Sequence, residues 1–222
     1  MIVVVGTAAW DPGPPAVPAG RACSVALAAA GQGARVELVG RIGDDAAGDD
    51  LLLALARAGV GHVAVLRDPS RATPMAARPA VDDDSMDDEA AGEPAESGSE
   101  PGAASVAMPD APRLEPADVA LGLQYLTSFE VLVVTEEVPA SVLPACVEAA
   151  QYAGARLIVS VPASGAEPTD LPPDATVLAA PESDGEAFAG LIGSYAVALD
   201  RGDAPEAAFG AATSGGWERP QP

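Results

Sequence analysis

The sequence predicts an α/β fold in which a central, mostly parallel β-sheet is covered by helices on both faces. Short apolar runs rich in β-branched residues alternate with longer segments whose apolar residues recur at helical spacing. The 222 residues are enough for one such domain with a sizeable core. Aromatic residues make up only 4% of the chain, so the core must be aliphatic and rich in alanine. We therefore expect a single domain over residues 1–222.

The first third of the chain predicts three strands and two helices. Residues 12–18 read PGPPAVP and can form neither a helix nor a central strand, because proline lacks the amide donor. The second helix begins with Asp44 or Asp45 as its cap and ends near Gly59, a residue type typical of helix ends. The predicted strands are 2–5, 35–39 and 62–66, and the first helix is 24–30.

Residues 80–112 differ in composition from the rest of the chain. Acidic residues recur without a basic partner, and Ala, Gly, Ser and Pro fill the gaps. Such a segment cannot bury enough apolar surface to offset its ordering entropy, so we expect a disordered acidic insert. A solvated loop is the simpler interpretation. The alternative is a docking segment for a basic protein partner through residues 82–100.

The pattern of strands and helices resumes after this insert. Pro116 suits the first position of a helix that extends to residue 126. Residues 131–134 and 156–161 are apolar runs typical of buried strands. The other predicted elements are helix 141–152, strand 176–180, helix 185–199 and helix 205–212.

Charge and cysteine content exclude several classes of function. All eleven basic residues are arginine, which excludes a catalytic lysine, and the formal net charge of −22 argues against binding nucleic acid or anionic membranes. No apolar run approaches the roughly 20 residues of a membrane span, and no signal peptide is evident. Cys23 and Cys146 are isolated, as expected for buried thiols in a reducing cytoplasm. His62 is the only histidine, so we predict no metal site.

The block Val39–Val60, VGRIGDDAAGDDLLLALARAGV, is the most informative stretch of the sequence. Locally it reads as a strand end, a glycine-rich acidic turn and a helix with one leucine face. As a pattern, G-x-(I/V)-G-x-D-x-x-G followed by such a helix resembles the ribokinase (PfkB-type) family of sugar and nucleoside kinases. Further matches to that family are Gly6–Asp11, Ala19–Ser24, Thr73, Thr135–Pro139 and Ser183–Gly190.

The resemblance implies a three-layer sandwich and assigns roles to several residues. Asp11, Gly20, Ser24 and Glu137 would contact a small polyhydroxylated substrate. Glu186 would stand in the place of the catalytic aspartate that takes a proton from the attacking hydroxyl. Ser183 and Gly185 would form the anion hole at a helix amino end, and Mg-ATP would be the phosphate donor.

The sequence also departs from the family pattern. Ala19, Ser24 and Glu186 replace Gly, Asn and Asp, and a longer carboxylate displaces a reacting group. The family's strand with a T-x-G-x-x-G turn, which helps to build the nucleotide pocket, has no counterpart before Ser183. The lid insert is reduced to residues 12–18, so we expect a lid that is reduced or absent.

These departures leave three hypotheses. The first is a shortened, degenerate family member that binds a small sugar, a nucleoside or a protein partner, with phosphotransfer weak or lost. The second is an active ATP-dependent kinase that phosphorylates a hydroxyl of a small sugar or nucleoside, with Glu186 as base. The third is a purely structural subunit that presents its acidic segment.

Overall fold

The computed structural model describes residues 1–76, 111–126, 128–164, 168–181, 183 and 185–214. Six parallel strands form the central sheet in the order β5-β4-β1-β6-β7-β8. Their bounds are β1 Ile2–Val5, β4 Val36–Gly43, β5 Val60–Asp68, β6 Val131–Val134, β7 Arg156–Pro162 and β8 Thr176–Ala180. The predicted parallel sheet is confirmed.

Helices cover both faces of this sheet. Their bounds are α1 Arg21–Gly31, α2 Ala46–Arg57, α3 Pro116–Tyr125, α4 Leu143–Ala153, α5 Gly185–Asp200 and α6 Pro205–Ser214, with a 3₁₀ turn at Ala140–Val142. Alternate residues of β1 divide between two apolar clusters, since Ile2 and Val4 face α1, α2, α5 and α6 whereas Val3 and Val5 face α3 and α4. The three-layer sandwich follows from this division.

Most predicted elements are present, and their ends differ by a few residues. Helix α1 begins three residues earlier than expected, because Gly20 adopts φ 88° and lets the chain turn directly into the helix. Strand β5 extends two residues further at each end than the predicted strand 62–66, because its backbone pairs with β4 over this length. The predicted acidic insert lies outside the described residues except for its last two positions, of which Pro112 is buried.

A short antiparallel ribbon stands where a lid would be expected. Strands β2 Ala9–Asp11 and β3 Val17–Ala19 pair with each other, so part of the proline-rich stretch is extended at an edge. Trp10 is only 8% exposed and packs into the apolar cluster of α1 and α2. The Trp10 amide donates to the Pro74 carbonyl at 2.8 Å, and the Ala76 amide donates to the Trp10 carbonyl at 2.9 Å. In the described residues, the lid is therefore reduced to a ribbon that is fixed to the body of the protein.

The glycine-rich turn of the block Val39–Val60 holds the segment that anchors this ribbon. Asp45 caps α2, accepting from the Gly48 amide at 2.8 Å, and its carboxylate also accepts from the Thr73 hydroxyl at 2.6 Å and the Thr73 amide at 2.8 Å. The Gly43 amide donates to the same hydroxyl at 3.1 Å. Burial by itself raises the pKa of Asp45, but these hydrogen bonds outweigh it and hold that pKa below its ordinary value.

An arginine on β4 joins the segment after β5 to helix α3. The Arg41 guanidinium pairs with Asp68 at 3.3 Å and with Asp118 at 3.0 Å. Asp68 also accepts from the Ser70 hydroxyl at 2.6 Å, and Arg71 donates to the Ala111 carbonyl at 3.4 Å. These contacts fix the chain on both sides of residues 77–110.

The described part of the chain has α-helices of 10 to 16 residues. None of its helices is both long enough and apolar enough to cross a bilayer.

Replacing Asp45 should lower the stability of the protein, because its carboxylate makes several hydrogen bonds. Asp45→Ala removes the cap and both bonds to Thr73, and we expect the free energy of unfolding at neutral pH to fall by about 1–2 kcal/mol. Because the pKa of Asp45 is lowered by folding, its contribution is present above the unfolded value of about 3.9 and is lost as the pH falls through the lower folded value. Urea titrations across this range test both points.

The matched control for that titration is Asp50→Ala, which alters an exposed carboxylate on the same helix. An equal loss in both variants, or a loss for Asp45→Ala that persists at pH values well below 3.9, would contradict the assignment.

Gly43 should tolerate no side chain. A methyl group there would overlap the backbone of Arg71, Ala72 and Thr73, so Gly43→Ala should destabilise the protein by about 1–3 kcal/mol. In the control Gly210→Ala, nothing lies within 4 Å of the new methyl, and helix α6 should be unchanged or slightly stabilised. Thermal unfolding of the two variants measures the contrast, and equal transitions would show that the turn is not tightly packed.

Candidate functional site

The carboxyl ends of β1, β6 and β7 meet the amino ends of α1 and α5 at one edge of the sheet. Ligands of parallel α/β sheets bind at this edge. Gly6 follows β1 and has no room for a side chain, because Thr135 after β6 and Ala22 in α1 both pack against it. The edge is thus closely packed at its base.

Helices α1 and α5 lie side by side in the same direction. Gly193 in α5 permits this contact, since a methyl group there would lie 2.8 Å from the Ala28 side chain of α1 and 3.2 Å from the Val25 carbonyl. Towards the other end of the pair, Gln32 donates to the Ser194 hydroxyl at 3.0 Å. The two amino ends, each carrying partial positive charge, therefore come together.

Arg21 lies where those two amino ends meet. Its Nε donates to Glu136 Oε1 at 2.8 Å, and its Nη1 donates to the Gly185 carbonyl. The guanidinium carbon lies 5.3 Å from the centroid of the Phe188 ring, a cation–π contact. One side chain thus connects α1, the end of β6 and the first turn of α5.

Glu136 is held on its other side by strand β7. The Ser160 hydroxyl donates to Glu136 Oε2 at 2.6 Å, and the Ser160 residue is only 2% exposed. The Arg21 and Glu136 side chains are 16% and 13% exposed. A partly buried ion pair with both carboxylate oxygens engaged therefore forms the floor of the edge.

Glu137, the next residue along the chain, contacts the start of helix α1. The Arg21 backbone amide donates to its carboxylate, which makes Glu137 a cap for α1. Burial and the neighbouring Glu136 charge raise the pKa of Glu137, and together they outweigh the opposing effect of Arg21. Because the Glu137 side chain is exposed, solvent screens much of this effect.

The other predicted substrate residues lie on α1, at its amino end and on the ribbon. Gly20 caps α1 with a positive φ, and a methyl group there would lie 2.9 Å from the Thr7 carbonyl. Ser24 is half-buried in the first turn of α1, and its amide donates to the Gly20 carbonyl at 3.0 Å. Asp11 lies at the end of β2 and accepts from the Gly13 amide at 2.8 Å.

The predicted phosphoryl-transfer residues lie at the amino end of α5. Ser183 is exposed before the helix, and Glu186 is exposed in its first turn. Gly185 is half-buried, and a methyl group there would lie 2.9 Å from the Arg21 guanidinium. Two of the predicted residues contact Arg21, namely Glu137 and Gly185, and Gly20 directly precedes it in the chain. The Glu186 side chain is exposed to solvent instead.

Sequence reasoning missed Arg21, Glu136 and Ser160. A signal for Arg21 was available, because a cation in the first turn of a helix opposes the helix dipole and requires a nearby acid. Glu136 directly precedes the residue that was predicted, and Ser160 is the one polar residue in the apolar run Leu157–Val161. Their meeting depends on strand order, which the sequence does not state.

Other reactive groups of the described chain do not add to this site. Burial raises the pKa of the Cys23 thiol to about 12, with a backbone hydrogen bond from Ala9 opposing the shift and the charge of Glu137 adding to it. Burial likewise raises the pKa of Cys146 to about 12. His62 lines a shallow depression with Glu37 at the opposite end of the sheet, where the strands begin. That end lies away from the edge at which parallel sheets bind ligands.

Comparison with known families identifies the class of protein. The sequence matches the pfkB family carbohydrate kinases over residues 15–212, so the chain belongs to this family. A comparison with curated proteins finds no match.

Solved structures show the same fold. A structure titled Sa239 superposes with a TM-score of 0.65 at 15% identity, covering 94% of this chain and 89% of that one. Ribokinase of Arabidopsis thaliana, complexed with ribose and ATP, gives a TM-score of 0.63 at 16% identity over 96% of this chain and 90% of that one. A sugar kinase of Pyrococcus horikoshii gives 0.50 at 13% identity over 72% and 55%. The ribokinase-like sandwich is thereby confirmed.

The Arg21 network should contribute measurably to stability. Arg21→Gln removes the ion pair to Glu136, the bond to the Gly185 carbonyl and the cation–π contact, and we expect a loss of about 1.5–3 kcal/mol in the free energy of unfolding. Chemical denaturation measures it. Arg57→Gln, an exposed arginine in the last turn of α2, is the control and should change little. Equal losses in the two variants would mean that Arg21 does not join the elements.

Proposed function

We propose that the chain binds a small polyhydroxylated molecule of the sugar or nucleoside class at the carboxyl edge of its sheet, with phosphotransfer weak or lost. Membership of the pfkB family of carbohydrate kinases supports the class of ligand. The Arabidopsis ribokinase of the same fold was solved with ribose and ATP. Whether this chain keeps both binding functions depends on its own residues.

The substrate half of the site keeps suitable groups. Ionised carboxylates accept hydrogen bonds from hydroxyls, and Asp11 on the ribbon and Glu137 at the end of β6 would serve as such acceptors. Gly20 provides close backbone approach at the start of α1, and Ser24 adds a hydroxyl one turn later. These four residues are the proposed ligand contacts.

One observation carries the proposed loss of phosphotransfer. The Arg21 guanidinium at the amino end of α5 is already paired with Glu136 and bound to the Gly185 carbonyl, so its positive charge is balanced within the protein. In addition, only four residues separate β8 from α5, which leaves no room for another strand with a glycine turn. The described residues of the nucleotide half therefore offer few groups that could bind a phosphate.

Mg-ATP does not fit the described residues. A triphosphate needs positive groups or free amides, and the one guanidinium at the end of α5 is already paired.

The second candidate is an active ATP-dependent kinase. One observation favours it: Glu186 is exposed in the first turn of α5, beside Gly185, where a carboxylate could reach a bound hydroxyl. In that case Ser183 and Gly185 would contribute to the anion hole, and Glu186→Gln would abolish turnover.

Calorimetric titration separates the two candidates. We expect heats of binding with at least one member of a panel of ribose, other free sugars and nucleosides, and no turnover when Mg-ATP is added. Steady phosphorylation of any panel member that is lost in Glu186→Gln would establish the active kinase instead. Absence of binding by every panel member would refute a sugar or nucleoside ligand.

Glu137 should show a conflict between stability and binding. Because folding raises the pKa of Glu137, its ionised form disfavours the folded state once the pH exceeds the ordinary value, so Glu137→Gln should raise the midpoint of thermal unfolding at neutral pH. The same variant should lose ligand affinity. The control Glu148→Gln, exposed on α4, should change neither quantity. A destabilised Glu137→Gln with normal affinity would contradict the proposed role.

The remaining proposals concern location and partners. The buried free thiols of Cys23 and Cys146 fit a location in the cytoplasm, where thiols are kept reduced. A protein partner could bind through residues 82–100, which lie outside the described residues. A pull-down that loses its partner when this segment is deleted would support the structural-subunit alternative.

A further inference from the structure

Glu136 has no role in the proposed ligand contacts, yet both of its carboxylate oxygens are engaged. Oε1 accepts from Arg21 Nε at 2.8 Å, and Oε2 accepts from the Ser160 hydroxyl at 2.6 Å. Ser160 is fixed within the buried strand β7. Glu136 is thus held in one position by the body of the protein and in turn holds Arg21.

The partners of Arg21 balance its charge and engage two of its three nitrogens. Nε is bound to Glu136, Nη1 is bound to the Gly185 carbonyl, and one face lies against Phe188. Without Glu136, the same guanidinium would remain at the amino ends of α1 and α5 with a free edge and no balancing charge. Such a combination of a guanidinium and helix amino ends binds phosphate and carboxylate groups well.

We propose that Glu136 is a specificity-determining residue that keeps this site from accepting anions. It balances the charge of Arg21 and engages its Nε, so the site selects uncharged hydroxylated molecules over phosphorylated or carboxylated ones. Glu137 and Glu186 add negative charge at the same edge and act in the same direction. This inference rests on the proposed function for the position of the site and adds the charge of its ligand.

The test uses the full chain and inorganic phosphate as the probe. Glu136→Gln is nearly the same shape as the wild-type side chain and can still accept from Arg21, so the fold should persist, as thermal unfolding will check. We expect phosphate to bind this variant about tenfold or more tightly than wild type by isothermal titration. The double variant Arg21→Gln with Glu136→Gln should lose the gain.

Two further variants sharpen the result. Ser160→Ala removes a donor to Glu136 but keeps the Glu136 charge and its bond to Arg21, so it should leave phosphate affinity unchanged. Glu148→Gln, a charge-matched control at an exposed position of α4, should also leave it unchanged. Equal phosphate affinity in wild type and Glu136→Gln would overturn the proposal. An equal gain in Glu148→Gln would overturn it as well, since the effect would then reflect net charge alone.

Failure of the proposed function remains distinguishable. If no neutral sugar or nucleoside binds wild type, the ligand class is wrong, yet the phosphate titration still measures whether Glu136 suppresses anion binding. If neutral sugars bind wild type and phosphate does not respond to Glu136→Gln, the ligand class stands and the role of Glu136 is wrong.

Discussion

The ion pair between Arg21 and Glu136 is the interaction on which this edge of the molecule depends. Two helix amino ends meet there, and their partial positive charges together with a guanidinium would repel one another without a counter-charge. Glu136, fixed by Ser160 on β7, supplies that charge, and Glu137 caps α1 from the same strand end. The close packing of α1 on α5, which the absence of a side chain at Gly193 permits, brings these two amino ends together.

The same pair also bears on the proposed ligand of this edge. In a parallel α/β fold, the amino end of a helix at the carboxyl edge is a natural anion site. Here the guanidinium at the end of α5 is paired with Glu136 and bound to the Gly185 carbonyl. The proposed ligand contacts include two carboxylates suited to hydroxyl groups, and the chain between β8 and α5 is too short to build a further strand.

A second network fixes the ribbon that borders the site. Asp45, Thr73 and Gly43 hold the segment after β5, and that segment pairs through its backbone with Trp10 on the ribbon. Trp10 is buried against α1 and α2, so the ribbon has an apolar anchor as well as a hydrogen-bonded one. The block Val39–Val60 therefore acts on the site indirectly, by positioning the strand that carries Asp11.

The sequence by itself determined the α/β class, nearly every strand and helix, a helix cap at Asp44 or Asp45, the burial of both cysteines and the family. These features follow from local periodicity, from caps and from a motif that is contiguous in the chain. Only the tertiary structure decided that Arg21 pairs with Glu136 rather than facing a ligand, that Ser160 supports this pair, and that Glu186 faces solvent. Arg21 and Glu136 are separated by 115 residues in the chain, and Ser160 and Glu136 by 24. Arg21 and Gly185 are separated by 164 residues. Strand order and helix packing bring them together, and neither is written in any single stretch of the chain.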